Sequence, residues 1–391
     1  MLAPWIVAGL LASLATAAWA APSRRDGEFN TSAPTAILID ADSGTVLFEK
    51  NADDLAPPAS LSKLMTAEVV FNELRQGRLD LAKEFRVSAN AWRTGGAPSR
   101  TSSMFAPINS HVTVEDLLRG MIIQSGNDAC IVLAEGIARS EAKFAELMTA
   151  RAREIGLAKA TFGNSTGLPH PRQLMTAREL GRLARHIIQT YPDYYKIYSE
   201  REFTFNRIRQ FNRNPLLALN IGADGLKTGY TKEAGFGLVG SAVQNKLRLI
   251  VVVNGLKTEK ERSDEARKLL EWGFNNFQTG TLFPDGQVIA HAKVYGSGYV
   301  PLVAPREVKL MVPRGVRERI IARVVYSGPV QPPVRKGQRI GVLKVWRGDF
   351  MVLEIPLQAA EPAEPGSIPR RALDAATELF YALFRAGIQR L

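Results

Sequence analysis

The stretch Pro57-Pro58-Ala59-Ser60-Leu61-Ser62-Lys63 decides how the rest of the chain is read. Two consecutive prolines cannot continue a regular helix, and the residues behind them, Leu61 to Leu74, carry apolar side chains at helical spacing until Gly77. Ser60 therefore sits where a helix begins. Lys63 comes about one turn later on the same face, so its amine can reach the serine hydroxyl. That hydroxyl is almost wholly protonated near neutral pH and needs a neighbour to take its proton before it attacks a carbonyl. A lysine serves only where burial or a second cation holds its amine neutral. Backbone N–H groups at the helix start favour negative charge developing beside them.

Ser-x-x-Lys occurs a second time, as Ser140-Glu141-Ala142-Lys143, where it reads as an N-cap ahead of the helical run Phe144 to Arg153. On spacing alone Ser60 reads the same way. The Ser60 copy is set apart by two triplets downstream of it, Ser125-Gly126-Asn127 and then Lys227-Thr228-Gly229. The first triplet comes just after the helical run Val114 to Ile123, on a connection between helices that can present Ser and Asn into a cleft. An Asn capping the next helix is the plainer alternative. The second precedes two apolar strands, Gly237 to Val243 and Leu247 to Val253, joined at Gln244-Asn245-Lys246. It is expected on a strand facing the cleft, with Gly229 letting substrate backbone approach closely. A charged lysine near Lys63 makes physical sense, because like charges force one amine to give up its proton.

The ordered set Ser-x-x-Lys, Ser-x-Asn, Lys-Thr-Gly resembles the signature of penicillin-binding proteins and serine β-lactamases. Within it the chain resembles the low-molecular-mass serine-type D-alanyl-D-alanine carboxypeptidases. The resemblance rests on Pro58 to Thr66, Gln124 to Cys130, Gly225 to Thr231 and Lys268 to Phe274, and runs more loosely after Gly280. It implies an α/β (α+β) DD-peptidase/β-lactamase-like domain, an antiparallel sheet flanked by helices, followed by a small β-rich domain and a C-terminal amphipathic helix. It gives catalytic roles to Ser60 (nucleophile), Lys63 (base), Ser125 (proton relay to the departing amine), Asn127 (hydrogen bond to the substrate peptide) and Lys227. It gives substrate contacts to Thr228, Gly229, the N–H of Tyr230 (paired with that of Ser60 as an oxyanion hole) and Arg262, whose guanidinium matches a terminal carboxylate bidentately. The implied substrate is a peptidoglycan stem peptide ending in D-Ala-D-Ala, with β-lactams as inhibitors. Where many relatives carry a histidine before Gly-Leu, this chain has Thr166.

The chain has 391 residues, 46% hydrophobic and 23% charged, an ordinary globular balance. Its net charge of +12 brings no concentrated Lys/Arg tract interleaved with aromatics, so a nucleic-acid partner is not expected. Residues 1–20 are uncharged and apolar and end Ala18-Trp19-Ala20, a small-x-small cleavage pattern, so an export signal is expected, although no basic residue precedes the apolar run. Cys130 is the single cysteine and forms no internal disulfide. The four histidines lack metal-ligand spacing, and neither metal nor cofactor is expected.

Residues 35 to 50 read as a hairpin, and Glu259 to Phe277 as an amphipathic helix opened by Arg262. The expected domains are a catalytic one over 30–279 and a β-rich one over 285–357, with short strands from Val288, Val308, Arg319, Arg339 and Phe350. A linker is expected over 358–369. Residues 370–391 set Leu373, Leu379, Phe380, Leu383 and Ile388 on one face, with four arginines against two acids. That pattern suits the interface of an anionic bilayer at the periplasmic face of the inner membrane, or a helix docked on its own protein. Three other functions stay open: a DD-endopeptidase, a β-lactamase (though no class A deacylating Glu motif is found), and a non-catalytic peptidoglycan-binding protein.

Overall fold

Strand β1 (Thr35–Asp40) buries every residue after the first, and that sets the architecture. Its period-two side chains divide between two helical layers. Ile37 and Ile39 join the large helical core, whereas Leu38 packs on the opposite face, where Gly273 approaches it so closely that a Cβ would lie 2.6 Å from its side chain. In the computed structural model, which describes residues 29–315, 319–369, 371–372 and 374–375, the expected hairpin closes on β2 (Val46–Lys50). The expected export segment, and all but four residues of the terminal amphipathic stretch, lie outside the described residues.

A 3-10 turn, Ala59–Ser62, leads into α1 (Lys63–Arg75). The regular helix thus starts two residues later than its apolar pattern suggests, because Ala59 adopts a left-handed conformation (φ 49°) and Ser62 Oγ donates back to Ala59 O. Most of α1 is buried, as befits a helix at the centre of a bundle. Around it lie β3 (Glu84–Arg86), α2 (Ala89–Thr94), β4 (His111–Thr113), α3 (Val114–Ile123), α4 (Asn127–Ala138), α5 (Glu141–Glu154), α6 (Ala177–Thr190) and α7 (Pro192–Tyr195). Ser140 caps α5 by accepting from Lys143 N, so the second Ser-x-x-Lys is the cap it resembles. The hairpin of β5 (Glu202–Phe205) and β6 (Ile208–Phe211) precedes the three long strands β7 (Ala223–Thr231), β8 (Gly235–Gln244) and β9 (Leu247–Leu256). The main sheet is antiparallel in the order β2-β1-β9-β8-β7, which leaves β7 at an edge. Helix α8 (Glu259–Asn276) covers its outer face.

Helix α8 runs directly into β10 (Phe277–Phe283), so the domain boundary expected after residue 279 falls inside a strand. That strand pairs with β13 (Val308–Pro313), beyond β11 (Ala290–Val294) and β12 (Gly298–Val303). With β14 (Ile320–Tyr326), β15 (Arg339–Arg347) and β16 (Phe350–Ala359), a second sheet forms in the order β11-β12-β16-β15-β14 around its own hydrophobic cluster. Strand β12 escapes sequence reading because of Pro301, tolerated here since β12 meets β16 only through Leu302 and Val303. The stretch expected as a linker is partly structured: β16 runs on through the buried Ala359, and Ala363 exchanges two backbone hydrogen bonds with Val334. Among the described residues no helix is long and apolar enough to cross a membrane.

Candidate active site

The turn before α1 places Ser60 at the mouth of the helical layer, half-buried, while Lys63 just behind it is 1% exposed. Lys63 Nζ lies 3.0 Å from Ser60 Oγ, 2.7 Å from Asn127 Oδ1 and 2.5 Å from Thr166 O. Sequence spacing brings the first of these together. The other two come from segments 64 and 103 residues away.

Asn127 opens α4, and Ser125, buried and left-handed (φ 66°), stands in the tight link from α3. Asn127 Oδ1 faces the lysine and Nδ2 donates to Thr101 Oγ1 at 2.9 Å. The backbone of this link is held by the polar loop before it: Asn127 N donates to Ser102 O, and the buried Asp128 carboxylate accepts from Met104 N, Ala106 N and Ser103 Oγ. Gly95 packs so tightly here that a Cβ would lie 2.5 Å from Asp128 N. Cys130 is sealed beneath, its thiol pushed up to about 12 by burial, and is inert at neutral pH.

Lys227 and Thr228 lie buried on β7, the edge strand, and Gly229 abuts the turn that carries Ser60, where a Cβ would lie 3.1 Å from both Leu61 N and Pro58 O. This contact packs β7 directly against the turn that carries Ser60. The Tyr230 ring points outward and stacks on Phe236 at 4.1 Å. Behind Phe236 stands Arg262, 6% exposed, its guanidinium 5.6 Å from the ring centre and its Nε buried without a partner. Arg213, which the sequence reading missed, reaches in from the loop after β6 and donates to Ser102 Oγ at 2.8 Å.

Burial holds both lysines below the ordinary amine range, Lys227 strongly so. For Lys227, the neighbouring Lys63 and then Arg213 push in the same direction; for Lys63 the Arg213 charge does so. Among the described residues none of Lys63, Lys227, Arg213 and Arg262 is paired with a carboxylate, and Asp128 is occupied by its own loop. A pocket whose two guanidinium groups lack a carboxylate partner suits an anionic chain end, since a carboxylate fits that lining. The arrangement can therefore hold a hydroxyl nucleophile, strip its proton and bind a negatively charged chain end. Among the described residues no cluster of His, Cys, Asp and Glu could hold a metal.

This geometry has counterparts. Residues 20–258 match the family model for D-alanyl-D-alanine carboxypeptidase, and residues 277–364 match that for the penicillin-binding protein 5 C-terminal domain. The D-alanyl-D-alanine carboxypeptidase DacC of Escherichia coli is 39% identical over 97% of both chains. The crystal structure of penicillin binding protein 5 from Haemophilus influenzae superposes with a TM-score of 0.73 at 38% identity, covering 86% of this chain and 99% of that one. Penicillin-binding protein D2 from Listeria monocytogenes, solved in a cefotaxime-bound form, is 30% identical, with a TM-score of 0.58 over 63% of this chain and 99% of its own. A serine beside a buried lysine, the two downstream triplets, and near-full-length likeness to such enzymes lead to one conclusion: the chain belongs to the D-alanyl-D-alanine carboxypeptidase family of penicillin-binding serine peptidases.

Proposed function

We propose that Ser60 is the nucleophile of a serine DD-carboxypeptidase that removes the terminal D-alanine from peptidoglycan stem peptides ending in D-Ala-D-Ala. The observation that carries this reading is the Lys63 amine, 3.0 Å from Ser60 Oγ, sealed from water and facing a cationic pocket without a carboxylate of its own. Neutral Lys63 takes the Ser60 proton as Oγ attacks the D-alanyl carbonyl. The Ser60 and Tyr230 N–H groups receive the oxyanion. Ser125 passes a proton to the departing amine, D-alanine leaves, and water releases the shortened peptide from the acyl-enzyme. Asn127 and Thr228 hold the substrate peptide, which lies along the free edge of β7 as an added strand, with Gly229 giving it room. Arg262, Arg213 and Lys227 receive the free carboxylate, which explains a preference for chain ends over internal peptide bonds. A β-lactam would acylate the same serine, as the antibiotic-bound relative suggests.

The two hydrophobic clusters support a catalytic domain that ends with α8 and a β-rich domain that runs from β10 through β16, which would lift the site from a surface. The positive excess and the arginine-rich terminal stretch 370–391 support peripheral attachment of an exported protein to an anionic membrane on the periplasmic side. The deciding experiment is mass spectrometry of a muramyl pentapeptide incubated with the enzyme and with its Ser60→Ala variant. Loss of a single alanine with the wild type alone is the expected result. No loss with either would overturn the reading.

A further inference from the structure

Lys63 is held from three sides, and one of them is a main-chain carbonyl. Thr166 O, 2.5 Å from Nζ, belongs to the segment Asn164-Ser165-Thr166-Gly167-Leu168, which folds back on itself around one amide side chain. Asn164 Oδ1 accepts from Gly167 N at 2.8 Å, Thr166 Oγ1 at 3.1 Å and Thr166 N at 3.2 Å, while its Nδ2 donates to Leu168 O at 2.9 Å. The Thr166 hydroxyl also accepts from Leu168 N at 3.2 Å, so it links both ends of the segment. From outside, Thr66 Oγ1 donates to Ser165 O, and Ser165 N and Oγ donate to Glu141 Oε1. Gly167, at φ 81°, rests so closely on the nucleophile turn that a Cβ would lie 2.0 Å from Ala59 O. One buried loop thus touches both the base and the turn that carries the nucleophile.

A neutral amine has two N–H groups and one lone pair. Asn127 Oδ1 and Thr166 O can only accept, so they take the two N–H groups and turn the lone pair toward the Ser60 hydroxyl. Without one of them the amine is free to rotate its lone pair away. We propose that Asn164 and the Thr166 hydroxyl are positioning residues for acylation: they fold segment 164–168 so that the Thr166 carbonyl fixes the direction of the Lys63 lone pair. This rests on the roles given to Ser60 and Lys63 above.

The charged and titratable groups facing Lys63 are Ser60 on its own turn, Asp128 and Cys130 on α4, Glu141 on α5, Lys227 on β7 and Arg213 from the loop after β6. Replacing Asn164 or Thr166 by a neutral residue changes none of these charges. A loosened carbonyl acceptor withdraws support from the ammonium form, so the amine deprotonates at lower pH. Acylation of Ser60 by a fluorescent penicillin is measured against pH for the wild type and for Asn164→Ala, Thr166→Val and Thr166→Ser, with thermal unfolding of each. We expect Asn164→Ala and Thr166→Val to acylate about tenfold more slowly at the plateau, with the acid limb moved to lower pH, while Thr166→Ser stays close to wild type. A wild-type rate and limb in Thr166→Val overturns the proposal. So does a slowed variant whose limb has not moved, or a serine variant as impaired as the valine one. If Asn164→Ala does not fold, the Thr166 pair decides alone. A wild type without an adduct on Ser60 overturns the nucleophile assignment first, which separates the two failures.

Discussion

Two amines buried side by side in a pocket without an acid between them are a stability cost accepted for chemistry, and the residues involved make that cost measurable. An unfolded lysine titrates at about 10.4. Lys63 and Lys227 are held below that in the folded protein, chiefly by burial. Between the folded and the unfolded values the unfolded chain therefore binds more protons than the native one, and stability rises with pH across that window. Lys227→Met is expected to flatten this rise and to stabilise the protein at neutral pH by about 1–3 kcal/mol while abolishing carboxypeptidase activity. Urea unfolding at several pH values checks it; an unchanged slope would remove Lys227 from the titrating cluster. Arg262 gives a second test. Arg262→Gln should lower kcat/KM on a free-acid pentapeptide by about a hundredfold and act far less on the same peptide amidated at its C-terminus, because only the first offers a carboxylate to the guanidinium. An equal loss on both substrates would mean that Arg262 supports the fold of the site rather than the chain end.

The elements show where sequence reading succeeded and where it stopped. Ser60 and Lys63 were legible because one helical turn fixes their relation, and the bounds of α3 and the place of β1 came from plain periodicity with caps and turns at their ends. The Thr166 carbonyl and Arg213 were not legible: neither lies in a motif, and each matters through contacts with segments far along the chain. Strand β10 was hidden for a different reason, since α8 passes into it without a turn signal. Helix α1 depends on a further long-range device. Glu68, fully buried on it, accepts from Arg151 on α5 at 3.0 Å, from His186 on α6 at 3.3 Å and from Tyr191 OH at 3.0 Å. Burial pushes this carboxyl up, but the His186 and Arg151 hydrogen bonds outweigh it and hold the group below its ordinary range. Its contribution is therefore present above the unfolded carboxyl value and lost as pH falls through the lower folded one. Glu68→Gln should destabilise by about 3 kcal/mol at neutral pH, since it removes the buried partner of Arg151 and leaves the part-buried guanidinium only the exposed Glu154 carboxylate, 2.8 Å away. Denaturant unfolding measures it, and a change under about 0.5 kcal/mol would show that the network tolerates a neutral amide.

Across the whole molecule the β-rich part meets the main sheet at the β1–β2 hairpin. The hairpin tip Asp40 to Thr45 of the catalytic part receives Lys309 Nζ on Asp42 at 3.0 Å, Arg306 on Asp42 O at 2.9 Å and Met311 N on Thr45 Oγ1 at 3.2 Å, and Arg347 donates to Leu47 O at 3.0 Å. These join the β-rich part to the strand edge of the main sheet opposite β7, so the open edge where substrate would lie is left clear. The chain then continues past Ala363 to the terminal stretch, and Asp374 accepts from Gly296 N at 2.8 Å, tying the start of that stretch to the β11–β12 turn. An amphipathic segment that begins fixed to the β-rich part would hold the enzyme at a set distance from an anionic bilayer, with the net charge of +12 adding attraction that weakens as salt rises. A chain ended after Pro369 loses the arginine-rich face and the apolar stripe together but keeps every residue proposed for catalysis. In sedimentation with phosphatidylglycerol vesicles a chain of residues 21–391 should pellet, and about 0.5 M salt should reduce its binding roughly tenfold. The shortened chain should remain in the supernatant and acylate with penicillin at the full-length rate. Continued pelleting of the shortened chain would move the membrane contact from the terminal segment to the β-rich domain itself.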